Sequence, residues 1–345
     1  MENITVIGLD LAKNVFQAHG ANAQGRKIFS KKLKRAEVIA FFAAIPPCLV
    51  GMEACCGAHE WGRQLQKLGH KVKLMAPHYV KAFVQGSKTD ARDAAAISEA
   101  AVRESIPAVP VRSRDSQQIQ SIHRVREALS KQRTATINQL RGLLAEFGFV
   151  MPARVKIRRE IVAWKTTSGQ EFGYLNGLLD ELLTQLQQLE ESIGRIDKQL
   201  GQILHDNAAC RLIESVPGIG PITATAIVGR VGNAENFKDS RKFACALGLT
   251  PREHSSGGKH VLLGISKRGD GYLRKLLVHG ARAVLNAKLK KAENADDWVV
   301  KLAQRRGHNI AVCALAAKNA RRVWAMLRTG EVFRSDYALA NNANA

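Results

Sequence analysis

From residue 172 to residue 203 the chain carries Phe172, Leu175, Leu179, Leu182, Leu186, Leu189, Ile193, Ile196, Leu200 and Ile203, an apolar series whose steps alternate between three and four residues. That spacing holds one stripe on one side of an α-helix and is the a/d seam of a coiled coil. A helix of about thirty residues spans about 45 Å at the usual helical rise, so the seam predicts an elongated spacer between the parts that fold before and after it. What pairs with the seam stays open on spacing alone. A second long helix expected over residues 116–147 suits it as an antiparallel hairpin within one chain, and a second copy suits it equally.

The residues ahead of the spacer read as α/β. Residues 4–11, 14–19 and 27–33 predict a three-stranded meander, followed by a helix over 37–45 that ends at Pro46-Pro47. A strand over 48–53, a helix over 59–68, a strand over 72–75 and a helix over 89–103 complete the series. The order β-β-β-α-β-α-β-α predicts a mixed sheet flanked by helices and resembles the ribonuclease H fold. After the spacer the pattern is mainly helical, with a turn at Pro217-Gly218-Ile219-Gly220, a Ser/Gly-rich loop around residue 256, and helices over 270–291 and 309–328. The expected division is therefore a first domain over 1–112, a helical coiled-coil and oligomerisation segment over 113–206, a mainly α domain over 207–332, and a frayed tail over 333–345.

Charge narrows the partners. Lys and Arg number 52 against 30 Asp and Glu, a net charge of +22, which favours a polyanion such as DNA or RNA. On the expected 116–147 helix, Arg124, Arg126, Lys131, Arg133 and Arg141 lie outside the apolar stripe, which makes the first four candidates for nucleic-acid contact. No run of about eighteen apolar residues is present for a membrane span, and the start MENITVIGLD lacks the pattern of a secretory leader, so a cytoplasmic protein is expected. The six cysteines, at 48, 55, 56, 210, 245 and 313, form no C-x-x-C pair and no zinc spacing; reduced thiols are expected. The sequence holds no phosphate-cradling G-x-x-x-x-G-K-[ST] loop, so the chemistry should need no ATP.

Four carboxylates stand where such a sheet holds reactive acids. Asp10 follows the apolar run ITVIGL, Glu53 ends the strand CLVGME, and Asp90 and Asp93, three residues apart, share one face at the start of a helix. Two strand ends and one helix turn can converge on a pair of Mg²⁺ ions, hard cations that prefer oxygen ligands, with Mn²⁺ as a substitute. Each residue alone has a plainer reading, Asp90 as a helix cap and Asp10 as a turn residue. The set in this order on these elements is what carries weight.

The segments IGLDLAKN, VGMEACCG and KTDARDAAAI resemble the D, E and D-x-x-D segments of the DEDD-type insertion-sequence transposases, relatives of the Piv-type DNA invertases and RuvC-like resolvases. The resemblance runs on through ESVPGIGPITA and LTPREHSSGGK and covers about residues 1–330. It implies Mg²⁺ held by Asp10, Glu53, Asp90 and Asp93 in a RuvC-like domain. It implies further that the serine of the C-terminal transposase domain is the nucleophile, matching Ser256 with Ser255 next. Read without the family, Ser255-Ser256-Gly257-Gly258 is a flexible surface loop or an anion-binding nest of backbone N–H groups. Its neighbours Arg252, Lys259, Lys267 and Arg268 are suited to neutralise phosphate charge. VPGIGPITATAIV reads as a helix-hairpin-helix in which Gly218 and Gly220 admit a phosphate to a helix N-terminus, with a tight turn touching nothing as the alternative.

The expectation is a transposase or site-specific recombinase that cleaves and rejoins donor and target DNA. The resemblance implies in addition a homo-oligomer, dimer or tetramer, and a structured non-coding guide RNA. Two other readings stand beside it: a junction-resolving, metal-dependent nuclease, and a non-catalytic nucleic-acid scaffold.

Overall fold

The computed structural model describes residues 3–87, 89–151, 157–168, 173–291, 293 and 295–334, and side chains within these except at 164–168. It divides the chain into two compact units, Met1–Arg114 and Asp115–Ala345. Phe172 and the end of the tail expected to fray, residues 335–345, lie outside the described residues.

The first unit holds a five-stranded sheet of β1 (Val6–Asp10), β2 (Val15–Ala21), β3 (Lys27–Lys34), β4 (Leu49–Glu53) and β5 (Lys71–Met75), in the order β3-β2-β1-β4-β5. β1 to β3 form the antiparallel meander, and β4 and β5 run parallel to β1. Parallel neighbours need a crossover, and α1 (Val38–Ala43) and α2 (Ala58–Lys67) provide it on one face. There Ile7, Leu9, Phe16, Val50 and Met52 bury against Val38, Phe42, Ala58 and Leu65. The short α3 (Pro77–Val80) and α4 (Asp90–Val102) cover the other face, where Val6, Ala21 and Met75 meet Ala96, Ile97 and Ala100. This mixed α/β unit is consistent with the ribonuclease H-like expectation, with element boundaries displaced by a residue or two.

The second unit is mostly helical. α5 (Arg114–Glu146), α6 (Ile157–Ser168) and α7 (Tyr174–Asp206) come first, and the first part of the seam is covered from within the chain. Leu140 and Leu144 of α5 and Ile157 and Ile161 of α6 share one core with Leu175, Leu179, Leu183 and Leu186 of α7. Arg126 reaches Asp197 and Arg133 reaches Glu190, so the residue number falls on α7 as it rises on α5, the mark of an antiparallel pair. Beyond Leu189 the seam is less covered, with Ile193 and Ile196 half-buried.

The remainder packs α8 (Ala208–Glu214), α9 (Pro221–Val231) and α10 (Ser240–Ala246), a hairpin of β6 (Pro251–Glu253) and β7 (Leu262–Ile265), then α11 (Gly271–Leu289), α12 (Trp298–Arg306) and α13 (His308–Thr329). Its core joins Ile213, Ile227, Phe243, Leu277, Val312 and Val323 among others. No helix among the described residues is long and apolar enough to cross a membrane.

Candidate active site and nucleic-acid contacts

The parallel rungs Val6 to Leu49, Ile7 to Val50 and Gly8 to Gly51 keep one offset, and carrying it forward sets Asp10 level with Glu53 at the carboxyl edge of the sheet. Side chains alternate along a strand, so Gly8 and Asp10 share a face, as do Gly51 and Glu53. α4 lies on that face. A methyl group on Gly8 would stand 2.1 Å from the Ala94 carbonyl oxygen, and one on Gly51 would stand 2.6 Å from Ala101 Cβ, so glycine is what lets the helix approach. At the opposite edge of the sheet, Val6 and Ala21 share a cleft with Ser98 and Val102 from the later turns of α4. Its first turn, with Asp90 and Asp93, therefore lies toward Asp10 and Glu53.

Asp90 is not the cap of this helix. Thr89 is, its hydroxyl accepting from the Arg92 N–H, which leaves Asp90 exposed and Asp93 half-buried. Cys55 lies close to both strand-end acids: burial first, then Glu53 and, more weakly, Asp10 push its thiol up from its ordinary value. Such a thiol is a poor nucleophile. Gln17, the antiparallel partner of Asp10, is buried, and its Oε1 has no hydrogen-bond partner while its Nε2 donates to Ser30 Oγ at 2.9 Å. Sequence reasoning passed over Gln17; only strand pairing reveals that it stands beside Asp10. The four carboxylates and this orphaned amide oxygen are all oxygen donors, the kind a hard divalent ion prefers. Among the described residues, however, no three His, Cys, Asp or Glu side chains are gathered tightly enough to hold one.

The Ser/Gly segment is not an irregular loop. It is the tip of the β6–β7 hairpin, with Gly257 and Gly258 at φ 55° and 76° and the Lys259 N–H donating to the Ser256 carbonyl at 3.0 Å. Positive φ at both central residues is what a two-residue type I′ turn requires, and the Gly-Gly pair between two short runs was the available signal. Ser255 Oγ donates to Glu253 Oε1 at 2.8 Å, whereas the Ser256 hydroxyl makes no side-chain hydrogen bond among the described residues. Arg252 and Lys259 are exposed on the hairpin, and Lys267 and Arg268 are exposed in the loop leading to α11.

The basic face of α5 is partly spent on structure. Arg126 donates to both oxygens of Asp197, at 2.5 and 3.1 Å, and Arg133 to Glu190 at 2.9 Å, so these two hold α7 in place. Lys131 stands 3.9 Å from Glu127, and Arg124 is exposed with no carboxylate partner among the described residues. Sequence alone showed the arginines outside the stripe and not the acids opposite them.

The turn between α8 and α9 gives its two glycines different tasks. Gly218, at φ 89°, packs on α11: a methyl group there would lie 2.8 Å from the Gly280 carbonyl oxygen, and one on Gly280 would lie 1.8 Å from that of Gly218. Buried Asn319 pins the turn by donating to the Pro217 carbonyl at 2.9 Å. Gly218 thus has a packing role in this turn. Gly220, just before Pro221 of α9, faces open space.

Residues 210–295 match the family described as "Transposase IS116/IS110/IS902 family", and residues 7–149 match the DEDD transposase family of IS110. A "Probable family 20 transposase" of Pseudomonas aeruginosa is 46% identical over 336 residues, covering 96% of this chain and 99% of that protein. The chain belongs to the IS116/IS110/IS902 transposase family. A "Transposase for insertion sequence element IS1111A" of Coxiella burnetii is 39% identical over 97% of this chain and 92% of its own length. The "Pilin gene-inverting protein" of Moraxella bovis is more distant, 24% identical over 60% of this chain and 58% of its own. This DNA transposase carries its four carboxylates in the first matched stretch and its serine hairpin in the second. A DEDD-type domain implies a divalent metal, typically Mg²⁺.

Proposed function

We propose that this transposase cuts and rejoins strands of donor and target DNA through Asp10, Glu53, Asp90 and Asp93 together with Ser256. The observation that supports it best is the common sheet edge toward which two strand ends and the first turn of α4 direct the four acids. Ser256 Oγ attacks a phosphodiester phosphorus, forming a serine phosphate ester as the phosphorus–oxygen bond to the leaving strand breaks. The leaving strand's oxygen takes up a proton and the serine hydroxyl gives one up. A strand hydroxyl attacks the ester in reverse, so one phosphodiester replaces another and no ATP is consumed. Ser256 rather than Ser255 fits this role, because its hydroxyl is exposed and unengaged while that of Ser255 is held by Glu253. Asp10, Glu53, Asp90 and Asp93 would hold Mg²⁺, which would polarise the phosphate oxygens and lower the pKa of the attacking hydroxyl. Arg252, Lys259, Lys267 and Arg268 neutralise phosphate charge as it builds, and Arg124, Lys131 and Gly220 contact the backbone. The reading includes a homo-oligomer and a structured guide RNA paired with both DNAs; family resemblance and the +22 charge support that part.

The test is strand cleavage in Mg²⁺ by purified variants. Asp10→Ala and Asp93→Ala should each lose cleavage by at least about a thousandfold while keeping DNA affinity within about twofold, and chelation should stop the wild type. Ser256→Ala should lose the covalent protein–DNA adduct that Ser255→Ala retains. Cleavage by Ser256→Ala at the wild-type rate would make water the nucleophile and remove the serine step.

A further inference from the structure

α5, α6 and α7 enclose a cleft of about 790 Å³ on the second unit, and its charge is one-sided. Arg133, Arg141, Arg158 and Arg159 line it against a single carboxylate, Glu190, which Arg133 already engages. Arg158 donates to the neutral Gln187, and neither Arg141 nor Arg159 has a carboxylate partner among the described residues. Arg141 is only partly exposed, and its Nε–H is buried with no acceptor. A buried N–H of a cation left without an acceptor carries a desolvation cost that an acceptor supplied by a ligand would offset. The floor is apolar, made by half-buried Ile137 and exposed Val162 and Ala163 over the buried Ile157 and Leu186. Guanidinium groups above an apolar floor match a nucleotide that is not stacked in a duplex: the arginines take the phosphate as bidentate donors and the floor takes the base.

We infer that this cleft is a binding site for an unpaired segment of the substrate DNA, holding a phosphate on Arg141, Arg158 and Arg159 with its base against Ile137 and Val162. The choice of DNA rests on membership of the transposase family. It does not rest on the carboxylate site or on Ser256, so failure of those residues in cleavage leaves it standing. Duplex DNA is excluded by shape, because a paired base cannot leave its stack to reach the floor. The cleft also explains why arginine occupies positions 158 and 159, where an exposed helix face asks only for solubility.

The experiment is fluorescence anisotropy of the full-length protein with a labelled twelve-nucleotide oligothymidylate, its RNA counterpart, and a blunt DNA duplex of the same length. In Arg141→Ala/Arg158→Ala/Arg159→Ala, affinity for the single DNA strand should fall at least tenfold. The slope of log affinity against log salt should flatten by about 0.7, as expected when one phosphate contact to a single strand is lost, and duplex affinity should change less than threefold. Arg158→Glu/Arg159→Glu alters only exposed side chains and should show the same selectivity, so a folding defect in the triple variant cannot mask the answer. Lys27→Ala/Lys31→Ala/Lys32→Ala removes equal charge from the exposed β3 strand and should spare single-strand binding. Equal losses for strand and duplex, an equal loss from the β3 variant, or a loss confined to the RNA would each overturn the proposal.

Discussion

His123 is buried on α5 between two partners, its ring nitrogens 3.0 Å from the Tyr272 hydroxyl and 3.0 Å from Thr225 Oγ1. Burial, reinforced by Arg126 and opposed by Asp197, lowers its pKa to about 4. The unfolded chain takes up this proton near pH 6.5 and the folded chain only near pH 4, so stability contributed by neutral His123 is complete above pH 6.5. It declines as pH falls toward 4, by about 3 kcal/mol over the interval. Urea unfolding of the wild type and His123→Gln at pH 7 and pH 4.5 should show a loss in the first that is much smaller in the second. Equal losses would mean that other groups govern the acid limb. Gly280 poses a steric question instead. Gly280→Ala should cost at least about 2 kcal/mol because the added carbon runs into the Gly218 carbonyl, whereas Gly220→Ala, facing open space, should cost under about 1 kcal/mol; similar urea midpoints for the two would contradict the packing role given to Gly218.

Elements were legible in the sequence wherever one face had to be apolar. The strands ending at Asp10 and Glu53 and the a/d run on α7 announce themselves because burial imposes a period. The β6–β7 hairpin escaped because its strands bury little: from Pro251 to Gly264 every residue is exposed and only Ile265 packs on the core, so no alternation marks it. The partner of the α7 seam was likewise illegible, since a stripe of leucines has the same spacing whichever helix covers it. Leu186 shows the difference. It is buried among Leu140, Ile157 and Leu183 of its own chain, so Leu186→Lys should destabilise the second unit by at least about 3 kcal/mol. Hydrogen exchange should speed up along α5 and α7 and stay unchanged in the β1–β5 sheet. An effect limited to oligomer formation, with exchange unaltered, would return the seam to a partner chain.

At the scale of the whole molecule, the acids and the serine belong to different units, and between them in the sequence runs α7, 33 residues and about 50 Å long at the usual rise. In an oligomer, the acids of one copy and Ser256 of another could complete one site. Mixing Asp10→Ala with Ser256→Ala, each inactive alone, should then restore strand exchange to about a quarter of the wild-type rate in a randomly mixed dimer whose two sites act independently; a verified mixed oligomer that stays inactive would point to a site built within one chain. The α5–α7 pairing has a consequence for how such chains change length. Arg126 with Asp197 and Arg133 with Glu190 keep a single antiparallel register, so one residue inserted in either helix rotates every later side chain by about 100° and misaligns the rest of the seam. Residues added to the connections around α6 leave that register alone. Insertions and deletions that survive in descendants of this chain should therefore gather in the connections at 147–156 and 169–173, with the two long helices holding their lengths as a matched pair.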